Sequence, residues 1–171
     1  AMDSPFVAWL DAGDEWYPEK LAIQFEALAR AEAEAPEDPL WMSCHYHWKE
    51  GESYWVKLQK TEGDQLRGLL RGLDLRAYLW TLLARAETYR NVGWFDERLP
   101  RLQDLDFFLR FVLKGGRILE PGHAQPLCVY HKSDLGRNAD QIRQCNAYIF
   151  DKYRVLYNRF GSGFRRARLF S

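Results

Sequence analysis

A short apolar segment followed directly by acids limits the choice of fold more than any other feature of this sequence. Residues 6–10 are all apolar, and Asp11 and Asp14 follow them closely. Such a run is typical of a strand buried on both faces inside a parallel sheet. Pro18 suits the first turn of a helix, where Glu19 is favourable near the positive end of the helix dipole. This order of strand, acidic turn and helix predicts an α/β protein with a ligand at the carboxyl end of the strand.

Composition agrees with one compact domain. The chain has 171 residues, including 7 Trp, 9 Tyr and 10 Phe, which is far too aromatic for a disordered segment. A formal net charge of zero gives no general reason to bind nucleic acid. No apolar run approaches the ~20 residues of a membrane span. Three scattered cysteines do not form a disulfide framework and predict buried thiols in a reducing cytoplasm.

Hydrophobic periodicity and turn residues predict a mixed order of helices and strands. A helix between Pro18 and Pro36 is expected to bury Leu21, Phe25, Leu28 and Ala29. Further helices are expected over residues 87–92, 105–114 and 139–160, with a short helix or irregular stretch at 63–72. Strands are expected over residues 40–48, 53–58, 78–84, 118–119 and 127–130, the first two forming a hairpin around Glu50-Gly51.

The acids after the first strand allow two interpretations. Two nearby carboxylates can hold a hard divalent cation, which in turn neutralises a diphosphate. Alternatively, Asp14 caps the helix and Glu15 is merely solvated. His45 and His47 pose a similar choice, because alternate residues of a strand share one face and could bind zinc together or simply line a cleft.

Two blocks of this sequence resemble the family 2 glycosyltransferases with the GT-A fold. The first resembles that family's strand ending in Leu-Asp-x-Asp-Asp and the helix after it; its matching residues are Asp11, Asp14, Trp16, Pro18, Lys20, Leu21 and Gln24. The second resembles the family's Gly-x-Phe-Asp-Glu loop and the Glu-Asp-x-Asp helix that follows; it covers residues 92–99, 103–110 and 115–116. The resemblance spans most of residues 6–131.

The resemblance implies transfer of a sugar from a nucleotide-diphosphate donor to an acceptor hydroxyl, with inversion. It implies Asp104 as the catalytic base, because an acceptor hydroxyl needs a positioned carboxylate to take its proton. Asp104 is also a natural helix cap. Donor and diphosphate binding are implied for Asp11, Asp14 and His131, and acceptor-side positions for Trp94 and Asp106. For Asp106 a structural role is the open alternative.

The sequence departs from the family at the metal position. Gly13 stands where the family places its usual ligand, which leaves Asp11 and Asp14 for the Mn²⁺ or Mg²⁺ that the family uses. We also expect the family's nucleotide-binding half to lie outside this chain, with Met2 as a native start. The prediction is a partial GT-A fold with a mixed sheet flanked by helices, inactive alone. It comprises an acceptor and catalytic half over residues 3–135 and a helix with a basic tail over 136–171. A non-catalytic module binding a glycan or a protein is the alternative.

The resemblance also implies partners. An active enzyme would use a nucleotide sugar and a glycan or lipid-linked acceptor, and no nucleic acid. If the front half is missing, the first strand has an open apolar edge, which predicts a homodimer or a covering partner chain. Arg165, Arg166 and Arg168 could contact the inner face of a membrane from the cytoplasm, although a solvated tail is the alternative.

Overall fold

The computed structural model describes residues 3–132, 138–161 and 164. Within these residues the chain is a mixed α/β protein with two four-stranded mixed sheets and six α-helices. None of these helices is both long and apolar enough to cross a bilayer. The predicted α/β class is therefore confirmed, at the level of a mixed fold.

The first sheet has the strand order β1-β6-β3-β7. These strands are β1 (Phe6–Ala8), β6 (Leu83–Arg85), β3 (Leu40–Met42) and β7 (Arg117–Leu119). Only β3 and β7 are parallel, and β6 runs antiparallel to both of its neighbours. Strand β1 was predicted to be a buried interior parallel strand, and this is wrong. It lies at the sheet edge, half-buried and antiparallel to β6, and Leu10 beyond it is 51% exposed.

The second sheet has the order β2-β8-β4-β5. These strands are β2 (Glu15–Trp16), β8 (Cys128–His131), β4 (Tyr46–Glu50) and β5 (Ser53–Lys57). The β4–β5 hairpin around Gly51 is confirmed, but residues 40–48 form two strands rather than one. Residues 43–45 carry the chain from the first sheet to the second, a change that apolar patterning does not reveal. The acidic turn likewise contains β2, which the sequence did not predict.

The six helices are α1 (Lys20–Glu34), α2 (Gln65–Arg71), α3 (Ala86–Val92), α4 (Gln103–Leu113), α5 (Ala139–Lys152) and α6 (Arg154–Arg159). The predicted helices at α3 and α4 are confirmed, and residues 63–72, for which a short helix and an irregular stretch were both open, contain α2. The single helix predicted over residues 139–160 is wrong, because it breaks at Tyr153. The strand predicted over residues 78–84 is a 3₁₀ helix at Leu79–Thr81 followed by the short β6.

The core lies on both faces of the first sheet. Leu40 and Met42 pack with Leu28 of α1 on one face, whereas Trp41 between them points to the other. There Trp41 stacks on Phe111 of α4 with ring centroids 3.7 Å apart. Three residues of α5 and the following turn, Cys145, Ile149 and Tyr153, belong to the same cluster as Trp41.

Helix α1 presents a different face to the core from the one predicted. Phe25 and Ala29 are exposed, whereas Lys20 and Gln24 are completely buried. The amide of Gln24 donates to the carbonyl oxygens of Met42, Ser43 and Thr81 over 2.9–3.1 Å. Because buried carbonyls need donors, this side chain fastens α1 to the strand junction.

Candidate functional site

The loop after β1 places two carboxylates at one end of the first sheet. The Asp14 amide donates to the Asp11 carbonyl over 3.1 Å, and Gly13 between them has a φ of +96°. This left-handed conformation is one that glycine adopts readily. Asp11 is an exposed residue as a whole. Its carboxyl group is nevertheless partly screened from water, and this desolvation raises its pKa.

Strand β8 holds Asp14 in place from the second sheet. The backbone N–H of His131 donates to Asp14 Oδ1 over 2.9 Å, and the His131 ring lies 2.7 Å from the Glu15 carboxylate. Asp14 Oδ2 is buried and has no hydrogen-bond partner among the described residues. Burial raises the pKa of Asp14, the His131 amide partly offsets this, and the charge of Asp11 raises the pKa further.

Asp104 lies in the first turn of α4, and its carboxyl has an unusual environment. Burial raises its pKa to about 6, the Leu79 amide opposes this rise, and the negative charge of Asp11 adds to it. A carboxylate with a pKa near neutrality can exchange a proton at physiological pH, as a general base must. The helix start immediately before Asp104 is strained, because Leu102 has a φ of +61°. Such strain in a non-glycine residue is often found at functional sites.

Four of the predicted site residues are linked to one another by charge or by a hydrogen bond. Asp11 influences the pKa of both Asp14 and Asp104, and His131 donates directly to Asp14. Charges influence each other's pKa over distances up to about one screening length, so these links place Asp11 within electrostatic range of Asp14 and Asp104. We refer to Asp11, Asp14, Asp104 and His131 as the carboxylate cluster.

Asp106 belongs to a separate network of ion pairs, which favours the structural role left open for it over the acceptor-side position. Its side chain is fully buried and pairs with Arg110 at 2.8 Å and Lys152 at 2.6 Å, and the Tyr153 hydroxyl donates to it over 2.7 Å. Burial works against the charged form, but these partners together lower the pKa of Asp106 below its usual value. A carboxylate enclosed in this way cannot touch an acceptor, so it serves the fold by joining α4 to the end of α5.

Trp94, the other predicted acceptor-side residue, is 94% exposed on the loop after Gly93. It borders a cavity of about 420 Å³ beside α3 and α4. The cavity is lined by Trp9, Tyr89, Arg90, Gly93, Trp94, Phe95 and Phe107. Phe107 of α4, three residues after Asp104, lines this cavity. Burial is the main cause of the raised pKa of Tyr89, and the charge of Asp104 adds to it, so the cavity lies within electrostatic range of that carboxylate. The sequence did not predict the cavity, although it placed Trp94 on this side of the site.

The carboxylate cluster does not match the metal ligands that the resemblance implies. One oxygen of Asp14 is engaged by the His131 amide, the other is closed to solvent, and Gly13 has no side chain to offer. A hard divalent cation needs several oxygen ligands with free lone pairs. No group of three or more His, Cys, Asp or Glu side chains suited to a metal ion occurs in residues 3–132, 138–161 and 164.

The two neighbouring histidines have separate partners. His45 Nδ1 accepts the Gln59 amide at 3.1 Å, whereas His47 Nδ1 lies 2.9 Å from the Tyr17 hydroxyl. The two rings do not converge, so the joint zinc site considered from their spacing is not formed. Arg165, Arg166 and Arg168 of the basic tail lie outside the described residues.

Comparisons with known proteins do not assign the chain to a family. No protein-family model matches it, and no curated protein is significantly similar to it.

Proposed function

We propose that this chain is a glycosyltransferase-like domain with a partial GT-A fold that transfers a sugar from a nucleotide-diphosphate donor to an acceptor hydroxyl with inversion. The observation that supports it most is the effect of the Asp11 charge on the pKa of Asp104, because it links the two sequence blocks of the resemblance electrostatically. The exposed Trp94 and the adjacent aromatic cavity supply a surface for the acceptor.

Asp104 is the base in this proposal. Its carboxylate takes the proton of the acceptor hydroxyl while the acceptor oxygen bonds to the anomeric carbon, and the nucleoside diphosphate leaves with the electron pair of the broken bond. The base must be ionised to act. Since burial raises the pKa of Asp104 to about 6, transfer is expected to increase with pH through that value and then level off.

A second candidate is a non-catalytic module that binds a glycan or a protein. It is favoured by the donor side of the site, where Asp11 and Asp14 would repel a diphosphate unless a cation lay between them. The enclosed carboxylate of Asp14 makes such a cation harder to hold. The two candidates share the aromatic cavity and differ in donor binding.

Donor binding therefore tests the proposal. A panel of nucleoside diphosphates, with and without Mn²⁺, is titrated by calorimetry and thermal unfolding. A ligand that binds only the folded chain stabilises it by about 2.7 kcal/mol at a hundred times its Kd. We expect one of the panel to stabilise the wild type and Asp11→Asn to weaken this effect. Asp104→Asn should retain binding and lose sugar transfer.

The loop variant Asp74→Asn, which removes only a surface pair with Lys60, is the control and should behave as the wild type. If no nucleoside diphosphate stabilises the chain at millimolar concentration, with or without Mn²⁺, the catalytic proposal is wrong and the binding module is supported.

A further inference from the structure

Strand β5 lies at the edge of the second sheet, with β4 as its only neighbouring strand among the described residues. Four of its five residues are exposed, and three of these are large and apolar: Tyr54 is 50%, Trp55 45% and Val56 52% exposed. Tyr54 and Val56 lie on one face of the sheet and Trp55 on the other, because side chains alternate along a strand. The strand therefore exposes apolar side chains on both faces. Strand β1, at the edge of the first sheet, has only three residues, all half-buried.

The backbone N–H and C=O groups of Tyr54 and Val56 point to the open side of β5. The Lys49 carbonyl of β4 accepts the Lys132 amide over 2.9 Å, so it is directed to the β8 side of β4 and away from β5. Lys49 is paired with Tyr54 in the β4–β5 ladder. Residues paired in an antiparallel ladder point either towards each other or both away, and the two kinds of pair alternate along the strand. Tyr54 and Val56 are both of the second kind, so their backbone groups can pair with a further strand.

A second copy of β5 fits this edge. A hydrogen-bonded pair between two such edges must join outward-pointing residues, and a two-fold axis at Trp55 does so by setting Tyr54 of each copy opposite Val56 of the other. On the other face, Trp55 then lies opposite its own equivalent. Aromatic side chains opposite β-branched or aromatic ones are favourable cross-strand pairs, and all three central pairs are of this kind.

Charges select the direction of pairing. Glu52 precedes the apolar residues and Lys57 follows them, so antiparallel pairing places the acidic end of each copy near the basic end of the other. Parallel pairing would bring like charges together, which is unfavourable. The register is also selective, because an axis at Tyr54 would set Glu52 opposite Val56, and an axis at Val56 would set Trp55 opposite Lys57.

We infer that this chain forms a two-fold dimer in which the β5 strands of two copies pair antiparallel about Trp55 and join their second sheets into one. Strand β4 separates β5 from β8 and β2, the strands that adjoin Asp14 and carry His131. The dimer therefore leaves the carboxylate cluster open, and the inference does not rest on the proposed function.

Charge exchange at Trp55 tests the pairing. Sedimentation velocity of the full chain, from micromolar to millimolar concentration, should show a monomer–dimer equilibrium for the wild type. Trp55→Lys and Trp55→Glu should each weaken dimerisation about tenfold, because each sets like charges opposite each other in place of an aromatic pair. An equimolar mixture of the two variants should restore association, since opposite charges then face each other. Val155→Lys, at an exposed position on α6, is the control and should dimerise as the wild type does.

Single cysteine substitutions report the register. The native cysteines among the described residues are buried, which limits their reaction with glutathione disulfide. Residues directly opposite in an antiparallel pair have Cα atoms about 4.5–5.5 Å apart, which a disulfide can bridge. Trp55→Cys should therefore form a covalent dimer by itself. Tyr54→Cys and Val56→Cys should do so only when the two variants are mixed, as measured by electrophoresis without reductant.

Three results would overturn the inference: a wild type that is monomeric at every concentration, a dimer that Trp55→Lys and Trp55→Glu both leave intact, or efficient covalent dimers of Tyr54→Cys or Val56→Cys alone. Circular dichroism and thermal unfolding verify that each variant is folded, as expected for substitutions at exposed positions. Donor binding is measured separately, so the inference and the proposed function can fail independently.

Discussion

Asp104, at the start of α4, has a pKa raised chiefly by burial and raised further by the negative charge of Asp11 in the loop after β1. Loss of water disfavours the charged form of a carboxyl, and a second negative charge within electrostatic range disfavours it further. Asp104 therefore carries an unfavourable charge at neutral pH, and that cost can be measured as stability.

Replacing Asp104 with Asn should stabilise the fold at neutral and alkaline pH. The folded-state pKa of about 6 is above the ordinary value of 3.8, so the wild type loses stability as pH increases from about 4 to about 6. The uncharged variant lacks this loss and should be more stable by about 1–3 kcal/mol at pH 8, with little difference at pH 4. Urea unfolding of both proteins at pH 4 and pH 8 measures this difference in stability. A variant equally destabilised at pH 4 and pH 8 would contradict the pKa assignment.

Replacing Asp106 with Asn should have the opposite effect. Arg110 and Lys152 would lose their shared buried carboxylate, and removing one partner of a buried ion pair costs about 3–5 kcal/mol. Because the folded-state pKa of Asp106 is lowered, its contribution is present above the ordinary carboxyl pKa and is lost as pH falls through the folded value. Chemical unfolding at neutral pH measures the loss. Asp140→Asn, at an exposed pair with Arg143, is the control and should change stability little.

A methyl group at Gly116 should disrupt the stacked core. Its Cβ would lie 2.4 Å from the Phe111 ring, which is held against Trp41 on its other side. Overpacking of this kind costs about 3 kcal/mol. Gly115→Ala meets no atom within 4 Å and incurs only the strain of its φ of +88°, about 1 kcal/mol. Thermal unfolding should show a larger loss of stability for Gly116→Ala than for Gly115→Ala. Equal losses of stability would show that the Phe111 ring can move aside.

The open sheet edges should promote self-association. Within the described residues, β1 and β5 each have one neighbouring strand, and β5 exposes Tyr54, Trp55 and Val56. Unpaired apolar edges pair readily with other chains, and an added lysine prevents this. We expect light scattering to show concentration-dependent association that Val56→Lys reduces. Val155→Lys, at an 82% exposed helix position, should not reduce it. A wild type that stays monomeric at all concentrations would contradict the expectation.

Local signals account for the elements that could be predicted from the sequence. Helix α2 begins where the Asp64 side chain accepts the Arg67 amide, α3 ends at Gly93, and β4 turns into β5 at Gly51. Each signal acts within a few residues, so no distant contact is needed to interpret it. The break in the last helix is different, because Tyr153 is held by Asp106 from α4. The spacing of apolar residues along the helix does not predict a hydrogen bond to a distant element.

The sequence by itself determined the mixed α/β class, most of the helices and the acidic and aromatic residues available for chemistry, because hydrophobic spacing and capping residues act locally. Only the tertiary structure decided that the charge of Asp11 acts on Asp104, that Asp106 is enclosed, and that an aromatic cavity forms beside α3 and α4. These properties depend on which surfaces exclude water and which distant charges meet, and both are set by packing between segments far apart in the chain.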